Sequence, residues 1–278
     1  MKDLFDKASA KCSKMITGLY STSFSIGIHL LDKRFRAPIY GIYGFVRCAD
    51  EIVDSFHGYD RDKLLQRFRS ATYEAIEDGI SLNPVLNSFQ AAVHQYDIDR
   101  DLIDKFLDSM AMDLTEQVYN RYNYDEYILG SAEVVGLMCL KVFTENNVEK
   151  YNHLYPFARR LGAAFQKVNF LRDLKSDYEI RGRTYFPNVN VQRFRQEDKH
   201  DIESEIEEDF RVAREGIMQL PHGARLGVHV AYAYYLKLFK KITSASASDL
   251  MNARLRISNQ KKILLMLNSI VLDKLRML

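Results

Sequence analysis

Apolar residues recur at three- and four-residue intervals along almost the whole chain. That period is the signature of amphipathic α-helices. It predicts helices over 4–20, 34–56, 61–78, 84–95, 99–114, 124–143, 150–179, 196–218, 224–243 and 249–276. Segment 21–32 reads as a break followed by a short helix. Punctuation agrees with these limits: His57-Gly58-Tyr59-Asp60 ends one helix, and Asp78-Gly79 with Asn83-Pro84 marks a loop. Glu145-Asn146-Asn147, Gly182 to Asn190 and Pro221-His222-Gly223 mark further breaks. Pro38 sits near the start of its helix, where proline is tolerated. No Ser/Gly or Pro run separates two units, so the pattern predicts a single all-α domain over 1–278.

Two helices break the amphipathic rule in the same way. One reads Arg47-Cys48-Ala49-Asp50-Glu51-Ile52-Val53-Asp54, the other Gln166-Lys167-Val168-Asn169-Phe170-Leu171-Arg172-Asp173-Leu174-Lys175-Ser176-Asp177. Each holds two aspartates four apart, one turn apart on one helix face. Phe45, Val46, Ile52 and Val53 flank the first, and Ala163, Ala164, Phe165 and Leu171 are among the neighbours of the second. Gln166, Asn169, Asp173 and Asp177 follow i, i+3, i+7, i+11, one continuous stripe. A solvated face explains most acidic pairs. Two such pairs in apolar surroundings point instead to polar work inside a core, because unpartnered carboxylates are costly to bury. Close carboxylates repel unless a hard cation neutralises them, and Mg²⁺ takes carboxylate and phosphate oxygens. Arg47 and Arg172 stand beside the clusters, and arginine pairs bidentately with phosphate. Acid for metal with arginine for anion predicts a diphosphate site.

Composition narrows the alternatives. Gly and Pro number only 13 and 5, which suits helices. A net charge of +2 gives no push toward nucleic acid. Cys12, Cys48 and Cys139 lack metal-ligand spacing and are expected as reduced, buried thiols of a cytosolic protein. The seven histidines show no HExxH, so zinc is not expected. The sequence predicts no signal peptide and no transmembrane helix. GxGxxG is absent.

Four blocks together resemble the squalene and phytoene synthases, the head-to-head isoprenoid synthases, over nearly the full chain. They are Tyr20 to Ser25, Ile42 to Asp54, the small-residue block Tyr127 to Met138, and Gly162 to Asp177 followed by Gly182-Arg183-Thr184-Tyr185-Phe186-Pro187. Glu51 stands where many members have a second aspartate, which leaves the DxxxD spacing intact. Glu133 stands where a small residue is usual and is expected either to face solvent or to narrow a substrate tunnel. Gly130, Ser131, Ala132 and Gly136 suit close helix packing, a tunnel wall, or both.

The resemblance implies an isoprenoid-synthase helical bundle around a central apolar cavity. It implies that Asp50, Asp54, Asp173 and Asp177, with Asn169, hold Mg²⁺ (Mn²⁺ as a substitute), and that Gln166 orients toward metal or phosphate. Arg47, Arg172 and Arg183 are candidates for the diphosphate, with Tyr235 (or Tyr234) and Arg256 as further contacts. Tyr43 and Tyr127 match positions that reach phosphate or the reacting carbons, and Phe24 one that stacks on a carbocation. Ser21 and Ser23 belong to the first block, and either can simply cap a helix. The implied chemistry joins two allylic diphosphates at C1 through a cyclopropyl diphosphate. The Tyr-Gly-Phe-Val-Arg and Gly-Arg-Thr-Tyr-Phe-Pro runs look most like bacterial carotenoid enzymes. That implies two geranylgeranyl diphosphates joined to phytoene, with no NADPH expected. The alternative is dehydrosqualene or squalene from two farnesyl diphosphates. A head-to-tail elongase or terpene cyclase fits less well, because those enzymes lack the Gln-x-x-Asn-x-x-Arg-Asp stripe. A non-enzymatic assembly factor fits less well too, because all four aspartates survive. Lipid substrates, and Arg254, Arg256, Lys261 and Lys262 beside Ile263 to Leu267, suggest a cytoplasmic protein peripheral to the inner membrane.

Overall fold

The computed structural model describes residues 2–115, 118–252 and 254–275. Among them are helices α1 (Lys2–Tyr20), α2 (Thr22–His29), α3 (Lys33–Ser55), α4 (Arg61–Asp78), α5 (Pro84–Tyr96), α6 (Arg100–Thr115), α7 (Arg121–Ile128), α8 (Val134–Thr144), α9 (Val148–Arg181), α10 (Gln196–Gln219), α11 (His222–Thr243), α12 (Ala247–Asn252) and α13 (Asn259–Lys274). The described residues contain no strand; Val118 and Thr184 form one isolated parallel bridge.

The helix limits follow local chemistry. Asn83 Oδ1 accepts from the amides of Val85 and Leu86, with Pro84 in the first turn, and so starts α5. Asn147 caps α9 through the Lys150 amide. At the other end of α9, Gly182 takes φ +68°, a left-handed conformation that glycine adopts without a Cβ penalty.

α1 packs on α3 and α5, α9 on α8 and α10, and α11 on α2 and α13. Two buried clusters result. In the first, Phe45 of α3 is fully buried and stacks on Phe89 at 4.0 Å, with Phe106 at 5.2 Å. Burying one such ring contributes roughly 1.5–3 kcal/mol. The second cluster is richer in tyrosine and surrounds Phe170, which stacks on Tyr185 at 3.9 Å.

Two expected helices are divided. Residues 124–143 are not one α-helix: a π-turn, Leu129–Glu133, joins α7 to α8. Glycines set this join. A Cβ on Gly162 of α9 would lie 2.5 Å from the Ala132 carbonyl oxygen, so α9 crosses the π-turn at backbone contact. The stretch Arg121–Thr144 is long and apolar enough by composition to cross a membrane, which the sequence reading did not anticipate. More than half of its most apolar 18 residues are buried, against α6 and α9, as in a core helix. The expected helix 249–276 is interrupted: α12 ends at Asn252, residues 254–258 are non-helical, and Ser258 caps α13 through the Lys261 amide. Residues 253 and 276 of that expectation lie outside the described residues.

Candidate functional site

One cavity of about 780 Å³ runs between α3, α8, α9 and α11. Its walls are helical stripes. α3 contributes Ile39, Ile42, Tyr43, Val46, Arg47 and Asp50, spaced three and four apart. α9 contributes Leu154, Phe157, Ala158, Leu161, Gly162, Phe165, Gln166, Asn169 and Arg172 in the same spacing. At 1.5 Å per residue, the α9 wall is about 27 Å long. Both stripes change character along their length: the N-terminal end is apolar and the C-terminal end carries the amide, guanidinium and carboxylate groups. Phe143, Leu140, Leu154 and Phe157 line the apolar end. Tyr20, Ser21, Arg254, Arg256 and Lys262 complete the polar one.

Of the residues singled out by the sequence, Ser21, Ser23, Phe24, Tyr43, Arg47, Asp50, Tyr127, Gln166, Asn169, Arg172, Tyr235 and Arg256 all line this cavity. Asp54, Asp173, Asp177 and Arg183 do not. Ser21 also caps α2, its Oγ accepting from the Phe24 amide at 3.2 Å. Phe24, Tyr43, Phe165 and Tyr235 form an aromatic group: Phe24 lies 5.7 Å from Tyr43 and 6.0 Å from Tyr235, and Phe165 stacks on Tyr235 at 4.0 Å. Tyr235 donates to Asn169 Oδ1 at 3.3 Å. Burial pushes the Tyr43 phenol up to about 12, so it is un-ionised at neutral pH.

Each aspartate of the two pairs has a guanidinium beside it. Asp50 lies 3.7 Å from Arg47, which also pairs with Glu51 and stacks on Tyr20. Asp54 meets Arg183 at 2.9 Å and Arg181 at 3.4 Å. Arg181 also pairs with Asp177, so one side chain spans the ends of the two acidic helices. Asp173 lies between Arg172 at 2.5 Å and Arg254 at 2.7 Å. Burial, with Asp54 and Asp113 nearby, pushes Asp50 up to about 7 against the pull of Arg47. Burial, with Asp173 and Asp54 nearby, pushes Asp177 up to about 6 against Arg181. The carboxylates of α3 and α9 thus share one electrostatic field.

Arg183 sits elsewhere than on the cavity wall. It is buried and donates to Asp54, the Val53 carbonyl, the Asp113 carbonyl and Tyr185. Glu133 takes neither expected position. Its side chain is largely buried outside the cavity wall and pairs with Arg159 at 2.5 Å. Gly136 does both jobs foreseen for the small-residue block, lining the cavity while lying against the Ala158 carbonyl. The three cysteines are unpaired and half-buried rather than buried, and Cys139 lines the cavity.

The sequence reading missed Arg181 and Asp113 and did not assign Arg254 and Lys262 to the site. Asp113 is buried and accepts from Tyr127 at 2.6 Å and Tyr185 at 3.0 Å. Burial pushes its carboxyl up to about 6, against Arg183 and Tyr127. Its one sequence signal is an acid among apolar residues near the end of α6. Arg254 was assigned to a helix that does not form at that point.

Residues 18–261 match the squalene/phytoene synthase family model. The phytoene synthase of Arthrospira platensis is 26% identical over 92% of this chain and 90% of its own length. The presqualene diphosphate synthase of Zymomonas mobilis is 28% identical over 69% of this chain and 65% of its own. A dehydrosqualene synthase crystal structure superposes with TM-score 0.80 and 21% identity over 97% of this chain and 98% of that one. The all-α bundle around a cavity is therefore the fold of these enzymes, and the chain belongs to the squalene/phytoene synthase family, the head-to-head isoprenoid synthases.

Proposed function

We propose that the chain joins two geranylgeranyl diphosphates head to head, through a cyclopropyl diphosphate, to phytoene, without NADPH. The observation that carries this reading is the polarity gradient of a single cavity. Its charged mouth suits diphosphate, and its apolar depth suits prenyl chains. Arg47, Arg172, Arg254, Arg256 and Lys262 offer cationic groups to the phosphates. Phe24, Tyr43, Phe165 and Tyr235 turn π-faces and un-ionised phenols toward a carbocation. The apolar depth excludes water that would trap the cation as an alcohol.

The donor set fits a hard divalent cation: two carboxylates on each helix, with the amide oxygens of Asn169 and Gln166 beside them. Among the described residues no three acids, histidines or cysteines converge as a ready-made cage. A hard divalent cation such as Mg²⁺ takes carboxylate oxygens together with substrate phosphate oxygens. Asp50 and Asp54 on α3, and Asp173, Asp177 and Asn169 on α9, would hold it. When bound, it would neutralise the departing diphosphate.

A second reading, two farnesyl diphosphates joined to dehydrosqualene or squalene, is favoured by the likeness to a presqualene diphosphate synthase and a dehydrosqualene synthase. Exposed Ile263, Leu264, Leu267 and Val271 on α13, next to the mouth residue Lys262, would let the cavity open toward a cytoplasmic membrane surface. The test is incubation with Mg²⁺ and either diphosphate, with and without NADPH, with extracted hydrocarbons identified by mass. A C40 product without NADPH supports the first reading. A C30 product from farnesyl diphosphate replaces it with the second, and no hydrocarbon from either overturns both.

A further inference from the structure

α6 ends in a carboxylate for which the reaction above has no use. Asp113 is 7% exposed, and three tyrosines from three segments converge on it. Tyr127 donates to Oδ2 at 2.6 Å, Tyr185 to Oδ1 at 3.0 Å and Tyr119 to Oδ1 at 3.5 Å. Arg183 Nη1 lies 3.3 Å from Oδ1, and its Nη2 donates to the Asp113 carbonyl at 2.8 Å. The same guanidinium reaches Asp54 at 2.9 Å. The rings pack on one another, Tyr127 lying 5.2 Å from Tyr119 and 5.1 Å from Tyr185. A purely structural hub would need only a charge to balance Arg183. Two facts go further. Tyr127 lines the cavity, whereas Tyr119 and Tyr185 do not. And a phenol carries a single hydrogen. Tyr127 gives that hydrogen to Asp113, so anything else that reaches its oxygen meets lone pairs.

We propose that Asp113 is a positioning residue that sets the polarity of Tyr127: it fixes the phenol as a hydrogen-bond acceptor toward the cavity and ties that orientation, through Arg183, to Asp54. Tyr127 then meets a carbocation with electron density and cannot donate a hydrogen bond to diphosphate. The catalytic consequence rests on the reaction proposed above; the hydrogen bond does not.

Asp113→Asn tests this with little change of shape. The amide Nδ2 can donate to Tyr127, which reverses the bond and turns the phenol hydrogen toward the cavity. In proton NMR of the substrate-free full chain, a hydroxyl held to a carboxylate at 2.6 Å gives a strongly downfield signal. That signal is expected in the wild type and absent from both Tyr127→Phe and Asp113→Asn. In turnover, Asp113→Asn lowers kcat by about 10- to 100-fold while KM stays within about threefold. The double variant is then no slower than Tyr127→Phe alone, as expected of residues acting as one unit. Absence of the wild-type signal overturns the proposal, as does a kcat within about twofold of wild type or losses that multiply in the double variant. If Asp113→Asn does not fold, comparing the signal in wild type and Tyr127→Phe still decides. If the wild type makes no hydrocarbon, the proposed reaction fails, and the NMR comparison decides the hydrogen bond on its own.

Discussion

α3 and α9 carry the same acidic spacing, but the two pairs are neutralised from different sides. Asp54 of α3 is held from the interior by Arg183, a buried side chain that also grips Asp113 and the Val53 carbonyl. Asp173 of α9 is held from outside by Arg254, a half-exposed side chain on the non-helical segment before α13. Asp50 faces the cavity with Arg47, and Arg181 spans Asp54 and Asp177. Spacing on a helix therefore places a carboxylate, and the surrounding fold decides what balances it. An inner partner is costly to lose, because it leaves charges stranded. An outer partner is cheap to lose and free to serve a ligand.

The largest expected effect treats the two helices as equals. Asp50→Ala and Asp173→Ala should each lower turnover by about 1000-fold or more, with melting by circular dichroism near wild type. Near-full activity in either would remove that helix from the metal assignment. Next, the inner anchor separates from the outer one. Arg183→Ala should cost about 3–5 kcal/mol in urea unfolding, because it removes the guanidinium beside buried Asp113 and leaves Asp54 with Arg181 alone. A loss below about 1 kcal/mol would mean that those carboxylates are not held as a buried network.

A smaller effect concerns pH. Asp50 and Asp177 are raised above the ordinary carboxylate value, to about 7 and about 6. These two groups therefore bind more protons in the folded chain than in the unfolded one between about pH 4 and 7, and their contribution to stability falls as pH rises through that window. Without divalent cation, Tm in Asp50→Asn should fall less over this range than in wild type, by about 2–4 °C. Equal slopes would show that Asp50 does not feel the crowding described. The smallest effect belongs to the outer anchor. Arg254→Ala should cost under about 1 kcal/mol of stability, because its pair is partly exposed. It should instead raise KM for the diphosphate several-fold with kcat little changed, an effect that steady-state kinetics would detect.

Much of this was readable before any coordinates. Of the polar stripe, Gln166 and Asn169 line the cavity while Asp173 and Asp177 lie beyond its wall, and Phe24, Tyr43 and Tyr235 share that cavity. The misreadings have physical causes. Residues 254–258 alternate polar and apolar side chains instead of keeping a helical period, a signal that one long helix over 249–276 passes over, so that reading puts Arg254 on a helix surface instead of over Asp173. Glu133 occupies a small-residue block, and nothing nearby in sequence signals Arg159, 26 residues away. Arg183 has the composition of a phosphate ligand, yet its donors are taken up by the interior.

The sequence by itself determined most of the helices, though not the π-turn at Leu129–Glu133 or the break at 254–258, and the order of groups along α3 and α9, from apolar at the N-terminal end to charged at the C-terminal end. Helical phase is local, so a stripe three and four residues apart keeps its face whatever surrounds it. Only the tertiary structure decided which cation meets which acid and which phenol gives up its hydrogen. Arg183 and Asp54 are 129 residues apart, Arg254 and Asp173 are 81 apart, and Tyr185 and Asp113 are 72 apart. Charge and hydrogen-bond partners depend on distances of a few ångströms, and over such separations only the packed fold sets those distances.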